Sequence, residues 1–357
     1  MIDNLALRCL SGDLRAVARL ITLLEDGDVE AFGALGSLKA RSGAAQVIGI
    51  TGPPGSGKST LTDKLIGEFR ARGKHVGILA VDPSSPFSGG AILGDRLRMQ
   101  SHATDPGVFI RSLASRGTLG GLSRATAFAV RVLEAAGYDI VIIETVGVGQ
   151  SEVDVVKVAD TVVLISVPGL GDDIQVIKAG IMEIGDVFVV NKSDRDGADR
   201  VVREIRSMLE MQAMLQKGRT VEAGPDTLAA RNTELLHHGL AGVAPGQTPA
   251  SDALQPFIIP RVLKTVAETG QGVPELTETI LARFEEAKAS GELERRRLAS
   301  IKSQLKDLVS WQVMDYFAGQ DGDLHLDTLA RSVQARGLDI YSAARGLFLT
   351  LMKGERP

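Results

Sequence analysis

The sequence predicts an α/β fold whose mainly parallel sheet lies between helical stretches at the two ends of the chain. Three observations predict it. Short β-rich runs at residues 47–51, 76–81, 140–145, 161–167, 187–191 and 257–263 alternate with stretches of helical periodicity; strands that alternate with helices make βαβ units, and their parallel sheet is covered on both faces. Before residue 46, Leu7, Leu10, Leu14, Val17, Leu20 and Leu24 recur at helical spacing. After Gly291, Leu298, Ile301, Leu305 and Leu308 do the same in a background of Lys, Arg and Glu.

In chain order, residues 1–45 read as a helical extension broken at Gly12 and Gly27. Residues 46–285 form the sheet domain. The first strand runs directly into a Gly-rich turn, and the helix after it places Leu61, Leu65 and Phe69 on one face and stops at Gly73. Residues 216–255 shift to Gly, Pro, Ala and Thr, which predicts a long surface insertion. His237 and His238 inside it are either metal ligands or a solvated pair. Residues 286–357 are a helical tail whose apolar stripe needs a cover, either its own domain or a second copy of the chain.

Bulk properties narrow the function. At 357 residues the chain is long enough for one large domain with helical appendages. Formal charge is −4 with both signs interspersed, so no polyanion-binding face is expected and nucleic acid is excluded as a partner. The single cysteine, Cys9, permits no internal disulfide and fits a reducing compartment. No basic segment followed by an apolar run opens the chain, and no stretch is apolar and long enough to span a bilayer. The expectation is a cytoplasmic protein with no membrane partner.

Gly52-Pro53-Pro54-Gly55-Ser56-Gly57-Lys58-Ser59 fits the P-loop pattern and stands between a strand and a helix, where the pattern has to stand. Its glycines let consecutive amides and the helix N-terminus, with Thr60 in its first turn, point at phosphates. Lys58 supplies a point charge to the β- and γ-phosphates, and the Ser59 hydroxyl is a Mg²⁺ ligand. Asp82 ends the second β-run, where carboxylates face the ligand crevice of a parallel sheet, and would hold a Mg²⁺-bound water or the ion itself, or else cap a turn. Asp95 lies in a Gly-rich stretch and is either a further metal-site carboxylate or a turn residue. Four apolar residues running into Glu144 make a Walker-B strand, and Glu144 is assigned to the Mg²⁺ water shell. Gly147 and Gly149 after it free backbone amides to approach a γ-phosphate, the basis of a nucleotide switch.

The fifth run ends in Asn191-Lys192-Ser193-Asp194. Asp194 can accept from the N1–H and the exocyclic amine of guanine, whereas adenine offers no such donor pair and would bury an unmatched carboxylate. Lys192 would lay its stem over the ring, and Asn191 would tie this loop to the P-loop. Lys264-Thr265-Val266-Ala267 follows the last strand, and a backbone amide there, that of Ala267, would meet the guanine carbonyl. GTP and GDP with Mg²⁺ are therefore the expected ligands.

These residues, with Gly89 to Asp95, Gly117 to Gly121 and the run Glu144-Thr145-Val146-Gly147-Val148-Gly149-Gln150-Ser151-Glu152, resemble the MeaB/ArgK-type GTPases, chaperones of methylmalonyl-CoA mutase and related adenosylcobalamin-dependent acyl-CoA mutases. The resemblance covers most of the chain. It implies that Lys58, Ser59, Asp82, Asp95 and Glu144 are phosphate and Mg²⁺ residues. It also implies that Gly169 to Lys178 couples nucleotide state to the mutase, with Lys178 reaching the phosphates when the partner docks, and that the C-terminal helices form a homodimerisation arm. Two departures stand out: the 216–255 insertion is longer than the family's link into its final strand, and Val266 replaces a small hydroxyl residue before Ala267.

The implied mechanism is slow GTP hydrolysis, with Gln150 the candidate for positioning water, accelerated when the mutase orders the switch loops. Rival readings are a GTPase for nickel insertion, which wants Cys/His ligands that this chain is poor in, and a kinase using the same P-loop. A deviant-Walker partitioning ATPase would want a lysine where Pro53 stands.

Overall fold

Alternation along each strand decides how the sheet is covered. The computed structural model describes residues 2–38, 43–83, 100–102, 104–115, 121–145, 157–169, 185–222, 259–318 and 320–352. Among these, β1 (Gln46–Thr51), β2 (Val76–Pro83), β3 (Val108–Ser115), β4 (Ile140–Thr145), β5 (Thr161–Ser166), β6 (Val187–Val190) and β7 (Arg261–Lys264) form one seven-stranded sheet in the order β3-β2-β4-β1-β5-β6-β7. Every neighbouring pair is parallel.

Side chains at successive strand positions point to opposite faces. Val47, Leu79, Val141, Ile143 and Val162 pack on one face against α1 (Ile2–Leu10), α2 (Leu14–Glu25), α3 (Val29–Leu38) and α5 (Gly121–Ala135). Ile48, Ile50, Ile78, Ile142, Val163 and Ile165 pack on the other, against Leu61, Leu65 and Phe69 of α4 (Lys58–Ala71) and Leu276 and Ile280 of α7 (Val273–Ala289). A third cluster joins Phe188 and Val190 to Ile205 and Leu209 of α6 (Ala198–Glu222). Each such Leu, Ile or Phe, once buried, stabilises the fold by about 1.5–3 kcal/mol.

The chain adds one strand to the six expected. β3 carries Arg111 in its middle, a residue that a strand reading of the sequence discards, yet Arg111 donates to Ala18 O and Thr22 Oγ1 at 3.0 Å each and pairs with Glu25. The polar residue is matched by α2, so the N-terminal helices are part of the sheet's cover. Gly12 and Gly27, at φ 79° and 80°, separate the first three helices as expected. The 216–255 insertion is corrected at its start: residues 216–222 continue α6, and residues 223–258, including His237 and His238, lie outside the described residues. The last strand is Arg261–Lys264, shorter than the expected run 257–263.

Beyond α7, the tail is α8 (Glu292–Ala318), α9 (Gln320–Gln334) and α10 (Ile340–Met352). Within the expected α8 stripe, Leu308 packs against the first core cluster, while Leu298, Ile301 and Leu305 are exposed. Two consecutive arginines fix α8 to the sheet. Asp160, just before β5, accepts from Val47 N (2.9 Å) and from Arg297 Nε and Nη2 (2.8 and 2.7 Å). Asp186, just before β6, accepts from Val162 N (2.9 Å) and from Arg296 Nη1 and Nη2 (2.8 and 2.7 Å).

Candidate functional site

The opposite edge of the sheet, where β1, β4 and β6 end, gathers the chemistry. After β1 the chain passes through Gly52, Gly55 and Gly57 at φ 149°, 76° and 85°, a backbone that L side chains rarely adopt. Gly52 and Gly57 also face close neighbours: a Cβ on Gly52 would run into Ile165 O, and one on Gly57 would stand 2.5 Å from Asn191 Nδ2. Gly57 then caps α4. Lys58 is buried and donates from Nζ to Gly52 O (2.8 Å) and Pro53 O (3.0 Å), so its ammonium lies inside the curl of the loop. Pro54 and Thr60 are exposed, and Ser56 is fully buried.

Ser59, on the first turn of α4, donates to Glu144 Oε1 at 2.5 Å across the gap between β1 and β4. Both are buried. Below them Thr145 Oγ1 donates to Thr51 Oγ1 (3.1 Å), locking the ends of the two strands together. Asp82 lies on β2 two residues beyond Ala80, which pairs with Glu144 in the sheet register. Asp95, Gly147, Gln150 and Lys178 lie outside the described residues.

Asn191 is almost fully buried and is the knot of the site. Its Nδ2 donates to Ser56 O (2.8 Å), and its Oδ1 accepts from Ala267 N (3.0 Å) and Thr265 Oγ1 (3.1 Å). One side chain therefore joins the P-loop, the end of β6 and the loop after β7. Lys192, in the left-handed region at φ 53°, reaches back to donate from Nζ to Gly55 O at 2.8 Å. Asp194 is exposed beside it. Ser193 N donates to Thr265 O at 3.0 Å, fixing the loop that carries Asp194.

Two details add to the sequence reading. The Ala267 amide, expected to meet a guanine carbonyl, donates to Asn191 Oδ1. The hydroxyl thought lost through Val266 is supplied one residue earlier by Thr265, while the Val266 amide donates to Gln271 O at 3.0 Å. Thr265 was the residue missed; a buried hydroxyl directly after a parallel strand was its signal.

Residues 17–321 match the family described as methylmalonyl-CoA mutase-associated GTPase MeaB. The chain belongs to the MeaB family. It is a P-loop GTPase and, as a member of that family, binds guanine nucleotide. A protein of Pyrococcus abyssi, named as a GTPase, is 43% identical over 99% of this chain and 98% of its own length. The mouse mitochondrial protein named methylmalonic aciduria type A homolog is 35% identical over 76% of this chain and 56% of its own. A crystal structure titled as an LAO/AO transport system kinase superposes with a TM-score of 0.63 at 26% identity, covering 98% of this chain and 97% of that one. No helix among the described residues is long and apolar enough to cross a membrane.

Proposed function

We propose that this MeaB-family GTPase is a chaperone of an adenosylcobalamin-dependent acyl-CoA mutase of the methylmalonyl-CoA mutase type, assisting its assembly, cofactor loading and protection as a cytoplasmic homodimer. The match over residues 17–321 to a family described by its association with that mutase carries the reading. The name of the mouse relative supports it.

In this reading residues 46–285 bind and hydrolyse GTP, residues 1–45 complete the sheet's cover, and residues 286–357 form the dimer arm. Asp194 would accept from the guanine edge, Lys192 would lie over the ring, and Asn191 would hold both against the P-loop. With the Ala267 amide already donating to Asn191, a guanine carbonyl would have to share that donor. Lys58, now on two loop carbonyls, would exchange them for phosphate oxygens.

Ser59 and Glu144 would hold Mg²⁺ with Asp82 and Asp95. The donors are all oxygens, which suits a hard cation, and those of Ser59 and Glu144 are in contact at 2.5 Å. When bound, Mg²⁺ neutralises charge on the β- and γ-phosphates. Gln150 would orient the attacking water, and Lys178 would reach the phosphates in the complex with the mutase.

The dimer reading is supported by Leu298, Ile301, Leu305 and Val309, which are 44–59% exposed along α8, and by exposed Ile340, Tyr341 and Phe348 on α10. Charge placed at Leu305 should yield a monomer in light scattering; a dimer that survives the change speaks against it.

The mutase assignment is tested by GTP turnover with and without a purified methylmalonyl-CoA mutase. Stimulation of about tenfold or more is expected, since ordering of switch loops by a partner commonly gives at least that. No stimulation by any adenosylcobalamin mutase removes the chaperone reading. Transfer of labelled γ-phosphate to an acceptor other than water would instead favour a kinase.

A further inference from the structure

We infer that Gly272, at the N-terminus of α7, sets guanine specificity by allowing the base-side loop to lie directly on the end of β7. The inference rests on the reading of Asp194 as the base-recognising carboxylate and of Asn191 as its tie to the P-loop.

Gly272 sits at φ 77° and ψ −6° and caps α7. A Cβ at this position would drive into the carbonyl oxygen of Lys264 and stand 3.3 Å from Thr265 Cα. Both are backbone atoms of a strand end and cannot swing away as a side-chain tip can. α7 cannot retreat either, because Val273, Leu276 and Ile280 are locked into the core against the sheet. The displacement must therefore fall on Lys264 and Thr265.

Those two residues hold the site in register. Thr265 N donates to Val190 O, and Ser193 N to Thr265 O, both at 3.0 Å. The Thr265 hydroxyl and the Ala267 amide hold Asn191 Oδ1, and Asn191 Nδ2 holds Ser56 O. Asp194 follows Ser193 directly. A carboxylate that accepts two parallel N–H bonds tolerates little lateral movement, so a shift of Thr265 is felt at the guanine edge before it is felt at the phosphates.

The same turn contains its own control. Gly270 is also left-handed, at φ 81°, but a Cβ there meets no atom within 4 Å. Alanine at 270 imposes the backbone strain without the collision.

The test compares GDP with IDP, whose base lacks the 2-amino group, by calorimetric titration of the full chain. The wild type should prefer GDP. Gly272→Ala should narrow that preference by about tenfold, because displacement of a positioned group by about 1 Å typically costs a factor of ten to a hundred. Gly270→Ala should leave it within about twofold. If Gly272→Ala does not give folded protein, Thr265→Val, which cuts the link to Asn191 without a new clash, should narrow the preference instead. An unchanged GDP-to-IDP ratio in folded Gly272→Ala, or an equal loss in Gly270→Ala, overturns the inference. Asp194→Asn separates the two levels: if it also leaves the ratio unchanged, the base-recognition reading falls, whereas if it abolishes the ratio and Gly272→Ala does not, only the role of Gly272 falls.

Discussion

Arg297 offers a measurable test of how the C-terminal helices are joined to the sheet. Its guanidinium binds both oxygens of Asp160 at 2.8 and 2.7 Å and donates to Gly43 O and Ala45 O at 2.5 and 2.8 Å. The Asp160 side chain is 3% exposed and Arg297 28%. Arg297→Ala would leave a buried carboxylate that still accepts from Val47 N but has lost the guanidinium beside it. Removing one partner of a buried ion pair costs about 3–5 kcal/mol. Because Arg297 is partly exposed, water can enter the gap, and the lower end, about 3 kcal/mol, is the working figure. For a chain of 357 residues, at about 2.1 cal/mol/K of unfolding entropy per residue, that corresponds to a fall in melting temperature of about 4 °C. The assay is thermal and urea unfolding followed by circular dichroism. Asp160→Asn with Arg297→Met, which removes both charges and keeps an acceptor for Val47 N, should recover at least half of the loss. A loss under about 1 kcal/mol in the single variant, or a double variant as unstable as the single, refutes the reasoning.

The remaining expectations concern three other positions. Burial pushes the Glu134 carboxyl above the ordinary glutamate range, with Asp160 adding to the shift and the Gly43 amide, Arg297 and Arg131 opposing it. The native state thus holds this proton more tightly than the unfolded chain, and the Glu134 contribution to stability declines as pH rises from the ordinary range through the raised value; Glu134→Gln should raise the melting temperature at pH 7.5 more than at pH 4. Gly57→Ala should lower GDP affinity about a hundredfold in calorimetric titration, since its methyl collides with Asn191 inside the P-loop. The sole tryptophan, Trp311, lies 4.2 Å beneath the Arg124 guanidinium; Arg124→Ala should red-shift its emission and cost about 0.5–2 kcal/mol in urea unfolding.

The features legible in the sequence are those in which local backbone demands and chemistry coincide. Gly52, Gly55 and Gly57 are glycines because their φ angles require it, so the pattern announces both a shape and a ligand. Asn191 was expected to reach the P-loop and does, at 2.8 Å from Ser56 O. What stayed hidden depends on partners far along the chain. Arg111 makes β3 look unlike a strand until α2 is placed beside it, 86–93 residues away. Arg295, Arg296 and Arg297 belong to the charged background of the α8 stripe, yet two of them neutralise buried aspartates 110–137 residues earlier. The direction of the Ala267 amide depends on a side chain 76 residues away and cannot be read from its own neighbours.

The two ends of the sheet make different demands, and the second demand bears on where the sheet domain ends. At their C-terminal ends β1 and β6 run into the P-loop and into Asn191, where function resides. At the other end, the buried amides of Val47 and Val162 need acceptors, which Asp160 and Asp186 provide. Those carboxylates, 3–4% exposed, require cations, and the closest are Arg297 and Arg296 on α8. The boundary near residue 285 therefore separates elements in sequence but not in stability. A fragment of residues 1–290 would lose both arginines. Arg283, 3.3 Å from Asp186, would remain and soften one loss, whereas Asp160 would have no such substitute among the described residues. A deficit of about 3 kcal/mol from Asp160 alone is a large share of a total stability of about 5–15 kcal/mol. The fragment should show rapid amide exchange in β1 and β5 and weak GDP binding, although every nucleotide-site residue is present. Full-length exchange protection and GDP affinity in that fragment would mean that the sheet supports the site without α8.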